Sequence, residues 1–391
     1  MSSAASVPDT RGPDRRLVFW LPSACRSVAP LCEAVARQHP AGVTVVLQQL
    51  QTANRTAMHW EAFPFQECDV QILPEATTNS DVIRLLRSHA EAFHIFASYH
   101  KSSPILTAAF EATRLKLDFG LLSEAPLSMR TGVSRLLHQL YMATVLPLRV
   151  HRIVRSARFL LCESGCDFRT LTKLGWTSEQ LFPFGYFPDP PPYKALASLE
   201  PLLRILSVGG LSFHKGNHVL IDACKILAQR VIPFECDIVG EGPEHGSLIQ
   251  LTRHHGIGDS FRFHGFVDDH ALAAIASRCA ILACPGLEEP WGIRVNDALH
   301  AGFVPVVSQG VGASQIVARF GAGLVFPEGD SIALAEFLSA LHHNPSIVED
   351  LRARIAIAAR HISPTVAAAY LRAVVGACTN AAAERPTPVW L

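Results

Sequence analysis

Apolar runs of about five residues recur along this chain, and each is followed by a stretch whose apolar positions return every three or four residues. Residues 17–21 (Leu-Val-Phe-Trp-Leu) open the series, and residues 43–47 repeat it. A run without polar alternation marks a strand buried on both faces. The spacing predicts helices around residues 28–38, 81–93 and 103–115, with further strands over 94–98, 119–123 and 159–163. Residues 134–158 read as a long helix that Pro147 should kink or divide, because proline lacks the amide a helix interior needs. A short helix is expected over 167–174. Strand and helix in alternation predict an open α/β sheet.

The cluster Pro188-Asp189-Pro190-Pro191-Pro192 interrupts this rhythm. Stiff proline-rich sequence is the best domain boundary here. The rhythm resumes with a strand at 204–208 and runs to about residue 331, followed by helices over 331–343 and 346–360. The expected organisation is a tail over 1–16, a first Rossmann-like domain over 17–187 and a linker over 188–202. A second domain over 203–362 follows, then a helix over 363–379 and a frayed tail over 380–391.

Length and composition agree with two domains. A chain of 391 residues with 49% hydrophobic and 17% charged residues can bury two α/β cores. Lysine plus arginine equals aspartate plus glutamate, 34 against 34, so no global attraction to nucleic acid is indicated. The ten cysteines lack paired CxxC spacing and mostly lie in apolar runs, as expected of free thiols in a reducing compartment. The first fourteen residues have no apolar stretch of the signal-peptide kind, and no run approaches a membrane span. A cytoplasmic protein is expected, soluble or peripheral at the membrane.

The richest chemistry lies in Glu289-Pro290-Trp291-Gly292-Ile293-Arg294-Val295-Asn296-Asp297. It follows the strand-like run 280–284 and opens a helix. A helix N-terminus presents unpaired N–H groups and positive partial charge to phosphate. Glu289 and Asp297, eight residues apart, suit the hydroxyls of a sugar and a ribose. Together they make a nucleotide-sugar pocket.

This segment resembles the E-x7-E motif of the family-four retaining glycosyltransferases, with Asp297 where the family usually has its second glutamate. Four further stretches resemble that family in its order. Val208-Gly209-Gly210-Leu211-Ser212-Phe213-His214-Lys215-Gly216 is similar to its "GRL…KG" signature, and Asp237-Ile238-Val239-Gly240-Glu241-Gly242-Pro243 to its "VGDGP" turn. Phe261–267 is similar to "VxFxGxV" and Ala301-Gly302-Phe303-Val304-Pro305-Val306-Val307 to "AGxPVV". The resemblance spans about residues 203–331, and the N-terminal half matches much less specifically.

The resemblance implies a GT-B fold: two Rossmann-like domains facing a cleft, with the last helix crossing back to the first domain. It implies a retaining transferase that moves a sugar from a UDP- or GDP-linked donor to a glycan or lipid-linked acceptor, in cell-surface polysaccharide or glycolipid synthesis. Lys215 would neutralise the diphosphate and Glu289 contact the donor sugar, with His100 near the reacting sugar. Asp297 would read the ribose. Gly209, Gly210, Gly240, Gly242, Trp291, Gly292 and Ile293 would line the donor site, and Phe266 and Val267 the base. Glu124, ending the strand 119–123, would face the acceptor. Gly210 stands where the family usually adds an arginine, so one cation is missing, and Arg294 and His214 are the residues that could compensate.

No D-x-D triplet and no histidine cluster suggests a metal site, so no metal and no cofactor are expected. Between Glu124 and Glu163 there is no acidic residue, while Arg130, Arg135, Arg149, Arg152, Arg155 and Arg158 alternate with leucines. Such a stretch reads either as a core helix with a basic solvated face or as inner-leaflet membrane contact through 130–158. Two rival functions remain: a degenerate scaffold without transferase activity, and a nucleotide-sugar epimerase on the same fold. A dehydrogenase would need glycines after the first strand, and Leu21-Pro22-Ser23-Ala24-Cys25 has none.

Overall fold

The computed structural model describes residues 15–52, 62–98, 103–125, 132–165, 168–196, 202–380 and 382–391. Seven strands form one parallel sheet: β1 (Leu17–Leu21), β2 (Val43–Leu47), β3 (Asp69–Ile72), β4 (Phe93–Ala97), β5 (Phe119–Ser123), β6 (Leu160–Cys162) and β7 (Leu181–Pro183). Their order is β3-β2-β1-β4-β5-β6-β7. Six more form a second parallel sheet: β8 (Leu203–Val208), β9 (Phe234–Val239), β10 (Phe261–Phe263), β11 (Ile281–Cys284), β12 (Val304–Ser308) and β13 (Leu324–Phe326), in the order β10-β9-β8-β11-β12-β13. Both orders reverse beside their first strand, and such reversals are where open α/β sheets bind ligands.

Every residue of β1, β2, β4, β5 and β12 is buried, and polar residues are confined to Thr44, His94, Ser123 and Ser308, which is why these strands appear in the sequence as largely apolar runs. The two faces of β1 feed different cores. Leu17, Phe19 and Leu21 pack on one side with residues of helices Ala29–Gln38 and Pro364–Thr379. Val18 and Trp20 pack on the other with helices Asn79–Ser88, Pro104–Arg114 and Gly132–Ser156. Two strands escaped the sequence pattern. β3 is a mostly exposed edge strand with polar residues, and β7 has three residues including a proline.

Helix Gly132–Ser156 runs through Pro147 undivided. Helix Pro364–Thr379 lies on helix Ala29–Gln38 through Ala367, Ala368, Leu371, Val374 and Val375. Its small residues allow close approach, and Gln38 donates to the carbonyl of Thr365 at 3.0 Å. The last helix therefore crosses to the first domain.

The segment after it is not frayed, contrary to expectation. Trp390 is fully buried against Phe184, Phe187 and Tyr370, with the Phe187 ring 4.5 Å away. Arg385 donates to the carbonyls of Glu179 and Leu181 and stacks 4.1 Å over Phe182. Burying a large indole outweighs the tendency of a polar chain end to fray. The described cysteines are all free thiols.

Candidate functional site

β8 and β11 pair only through Ile205↔Ile281 and Leu206↔Leu282, two residues before β8 ends. Beyond that point the strands part, and the crevice between them is lined by Gly209, Gly210, Lys215, Glu289, Gly292 and Arg294 among others. Helices Asn217–Gln229 and Ile293–Ala301 both begin at this crevice, bringing two positive helix ends to one place.

Local sequence explains how the two charged residues arrive there. A 3-10 turn, Phe213–Lys215, ends at Gly216, whose φ is +68°. A Cβ at Gly216 would lie 2.0 Å from the carbonyl oxygen of Pro285, so only glycine lets the loop pass this close. The amide of Leu287 donates to the carbonyl of His214 at 2.8 Å and ties this turn to the loop after β11. Glu289 is held by its own amide, which donates to Gly310, and by its carbonyl, which accepts from Gly312. The outcome is a contact between Lys215 Nζ and Glu289 Oε1 of 2.5 Å, both side chains partly exposed to the crevice. His214 beside them has its pKa lowered by burial and by the charge of Lys215, which favours a neutral ring.

Trp291 is packed rather than presented. Its ring is buried, its Nε1 donates to Asn296 at 2.9 Å, and Phe187 of the first domain lies 6.1 Å away. Gly185 leaves room for it: a Cβ there would come 2.2 Å from the indole. The E-P-W-G loop is thus clamped between the domains.

Asp297 is fully buried, with both oxygens engaged. Arg294 donates to Oδ2 at 2.8 Å, and Arg26, from the loop after β1, donates to Oδ1 at 2.9 Å. A buried carboxylate requires such partners. A ribose read by Asp297 would have to displace one of these guanidinium groups.

Gly240 donates to the carbonyl of Gly265 at 2.8 Å, and Gly209 to that of Val239 at 3.0 Å, lining up the ends of β8, β9 and β10. Gly242, Phe266 and Val267 lie along this rim, and Ile293 begins the helix at the crevice. Gly210 is exposed, and a Cβ there would meet nothing closer than the Glu241 carbonyl at 3.8 Å. His100 lies outside the described residues. Glu124 sits at the end of β5 in the first domain, accepting a hydrogen bond from the Tyr186 hydroxyl at 2.7 Å. Sequence reasoning missed Arg26, Glu163 and Tyr186. Their one signal was position, since each follows a strand of the first sheet at its carboxyl end.

Two doubly wound domains, a crevice at the switch point of the second and a final helix returning to the first define the GT-B class of fold. Residues 194–362 match the family described as "Glycosyl transferases group 1". Over 159 residues the chain is 31% identical to the putative colanic acid biosynthesis glycosyltransferase WcaL of Escherichia coli (strain K12), covering 39% of this chain and 38% of that one. Over 154 residues it is 30% identical to the amylovoran biosynthesis glycosyltransferase AmsK of Erwinia amylovora, covering 38% of each. The match thus spans about two fifths of the length of these relatives. The fold extends further. The crystal structure of Anabaena Alr3699/HepE in complex with UDP covers 91% of this chain and 98% of its own, with a TM-score of 0.69 at 17% identity. WaaG, a glycosyltransferase involved in lipopolysaccharide biosynthesis, covers 92% and 99% with a TM-score of 0.61 at 14% identity.

Proposed function

We propose that this protein is a retaining glycosyltransferase that transfers a sugar from a UDP- or GDP-linked donor to a glycan or lipid-linked acceptor in polysaccharide or glycolipid synthesis. The observation that carries the reading is the Lys215–Glu289 contact at the crevice where two helix N-termini meet. The named relatives act in colanic acid and amylovoran biosynthesis, and the HepE structures hold UDP and UDP-glucose.

In this mechanism Lys215 leaves Glu289 for the donor diphosphate and stabilises the departing charge in a water-poor cleft. Glu289 is then free to accept from hydroxyls of the donor sugar. The acceptor oxygen attacks the anomeric carbon on the face from which the diphosphate leaves. The bond from that carbon to the phosphate oxygen breaks, and the acceptor proton passes to the departing phosphate, so configuration is retained. Arg294, which lines the crevice, supplies the second cation that Gly210 lacks. Catalysis without a metal follows from this supply of positive charge.

Helix Gly132–Ser156 supports a place at the membrane surface. Leu146, Val150, Ile153 and Val154 are buried, yet Leu136, Leu137, Leu140, Val145 and Leu148 are each more than half exposed beside Arg149, Arg152 and Arg155. One face of this helix is thus core and the other carries the exposed apolar and basic side chains that motivate the membrane reading. Apolar side chains flanked by arginines suit an anionic leaflet. Among the described residues no single helix is long and apolar enough to cross a membrane.

The test is a nucleotide-sugar panel read by thermal shift and by slow donor hydrolysis, with and without excess chelator. Stabilisation by one UDP- or GDP-sugar and hydrolysis that persists in chelator are expected. A protein that binds no nucleotide at millimolar concentration would instead be a degenerate scaffold.

A further inference from the structure

The two carboxylates of the E-P-W-G segment are matched by cations in different ratios. Lys215 meets Glu289 one to one at 2.5 Å, so that pair carries no surplus charge. Asp297 stands between two guanidinium groups, Arg294 on Oδ2 at 2.8 Å and Arg26 on Oδ1 at 2.9 Å. One carboxylate between two guanidinium groups leaves a positive charge over. That surplus is shared by the two domains. Arg294 lies in the first turn of helix Ile293–Ala301, and Arg26 reaches in from the loop after β1.

Burial decides which member of this triad can meet a ligand. The Asp297 side chain has no exposed surface, whereas that of Arg26 is 41% exposed and Arg294 lines the crevice. Each guanidinium meets Asp297 through one terminal nitrogen and carries further N–H groups on its fork. Two guanidinium groups this close repel one another unless the carboxylate between them holds both. Asp297 is thus the buried anchor, and its arginines are the groups presented. A ribose hydroxyl reaching Asp297 would replace a charge-assisted bond from a guanidinium by a weaker bond from a neutral donor.

We infer that Asp297 is a positioning residue and does not read the ribose: it holds Arg26 and Arg294 as a clamp, one arm from each domain, for the diphosphate of the donor. This rests on the glycosyltransferase reading above and names how the same site recognises the donor. An arginine fork fits phosphate oxygens, often through two parallel bonds. A nucleoside diphosphate gives two such forks more charge and more oxygens than a monophosphate does. The preference for diphosphate over monophosphate is therefore set by the clamp, and removing the ribose hydroxyls leaves Asp297 and its arginines undisturbed.

The experiment titrates the full chain by calorimetry with UDP, UMP and 2′,3′-dideoxy-UDP, or with the guanosine series if GDP is the nucleotide that binds. Wild type is expected to bind the diphosphate at least tenfold more tightly than the monophosphate. Arg26→Ala should cut that preference at least threefold by weakening UDP and sparing UMP, whereas loss of domain coupling alone would weaken both alike. Arg26→Lys, which keeps the charge without the fork, should fall between. Asp297→Asn should cut the preference in the same direction. The ratio of dideoxy-UDP to UDP affinity should stay within twofold of wild type in every variant. The inference is overturned if Asp297→Asn closes a gap between UDP and its dideoxy analogue. It is equally overturned if Arg26→Ala, by freeing a carboxylate oxygen, widens that gap, or if Arg26→Ala leaves the diphosphate preference intact. Arg26 is partly exposed, so its variants decide the matter even where Asp297→Asn does not fold. If wild type binds no nucleotide at all, the glycosyltransferase reading fails first and this inference fails with it.

Discussion

The guanidinium of Arg26, in the first domain, lies 2.9 Å from Oδ1 of Asp297, a carboxylate in the second domain that is fully buried. The pair crosses the cleft in which the donor would lie. Arg294 holds the other oxygen at 2.8 Å, so Asp297 keeps one cation if Arg26 is lost.

Arg26→Ala should therefore unlatch the domains without unfolding either. Arg26 is partly solvated, so its charged hydrogen bond contributes only about 1 kcal/mol after screening. That corresponds to roughly 2–4 °C in melting temperature for a domain of this size. Faster proteolysis around residues 188–202 and a larger radius by small-angle scattering should accompany it. An unchanged radius and cleavage rate would show that the pair does not couple the domains.

The Lys215–Glu289 contact predicts unequal effects of removing its two members. Lys215→Ala should weaken nucleoside diphosphate binding by about 1.5–3 kcal/mol, the scale of a hydrogen bond to a charged group. Glu289→Ala should leave nucleotide affinity within a few-fold but lower turnover at least a hundredfold. Calorimetry with UDP and GDP, paired with donor hydrolysis, separates the two. Near-wild-type behaviour of both variants would dismiss the site assignment.

A Cβ at Gly210 would meet nothing closer than the Glu241 carbonyl at 3.8 Å, so a side chain there starts without a backbone clash. With Arg294 supplying the second cation, Gly210→Arg should leave UDP and GDP affinity within a few-fold. Tightening by about 1.5–3 kcal/mol with reduced salt sensitivity would mean instead that Arg294 stays committed to Asp297.

His94 predicts a stability that depends on pH away from the site. It is buried on β4, and the Trp20 Nε1 donates to its Nδ1 at 3.2 Å, which requires a neutral ring. Burial, chiefly, lowers its pKa to about 4. Unfolded protein then binds more protons than folded protein between about pH 6.5 and pH 4, so stability should fall as pH drops through that window. The full loss is on the order of 3 kcal/mol. Urea melts of wild type and His94→Gln across pH 4–7 check this, and the variant should show a flatter profile. Parallel profiles would assign the acid sensitivity elsewhere.

How much was legible in the sequence follows from which forces act locally. A strand buried on both faces such as β1 is apolar at every position, so pattern alone finds it. β3 is mostly exposed, and its Asp69-Val70-Gln71-Ile72 carries no such mark. Lys215 and Glu289 were readable because the turns that place them are encoded nearby, as at Gly216. Arg26 and Glu163 were not, because sheet order brings them to the cleft from separate loops. Asp297 was readable as a position on a helix, but its partner 271 residues away was not.

Trp390 bears on the order in which this chain can fold. The sheet of the first domain is complete once residue 183 has been made, yet one of its covering layers contains helix Pro364–Thr379 and the Trp390 indole. A ribosome releases the N-terminal half long before it makes that cover. Phe184 and Phe187 must wait, exposed, until residue 390 has emerged. The first domain should thus reach its final packing only after the second has formed, and a chain shortened before residue 390 would leave the nascent protein with a permanent chaperone-binding surface.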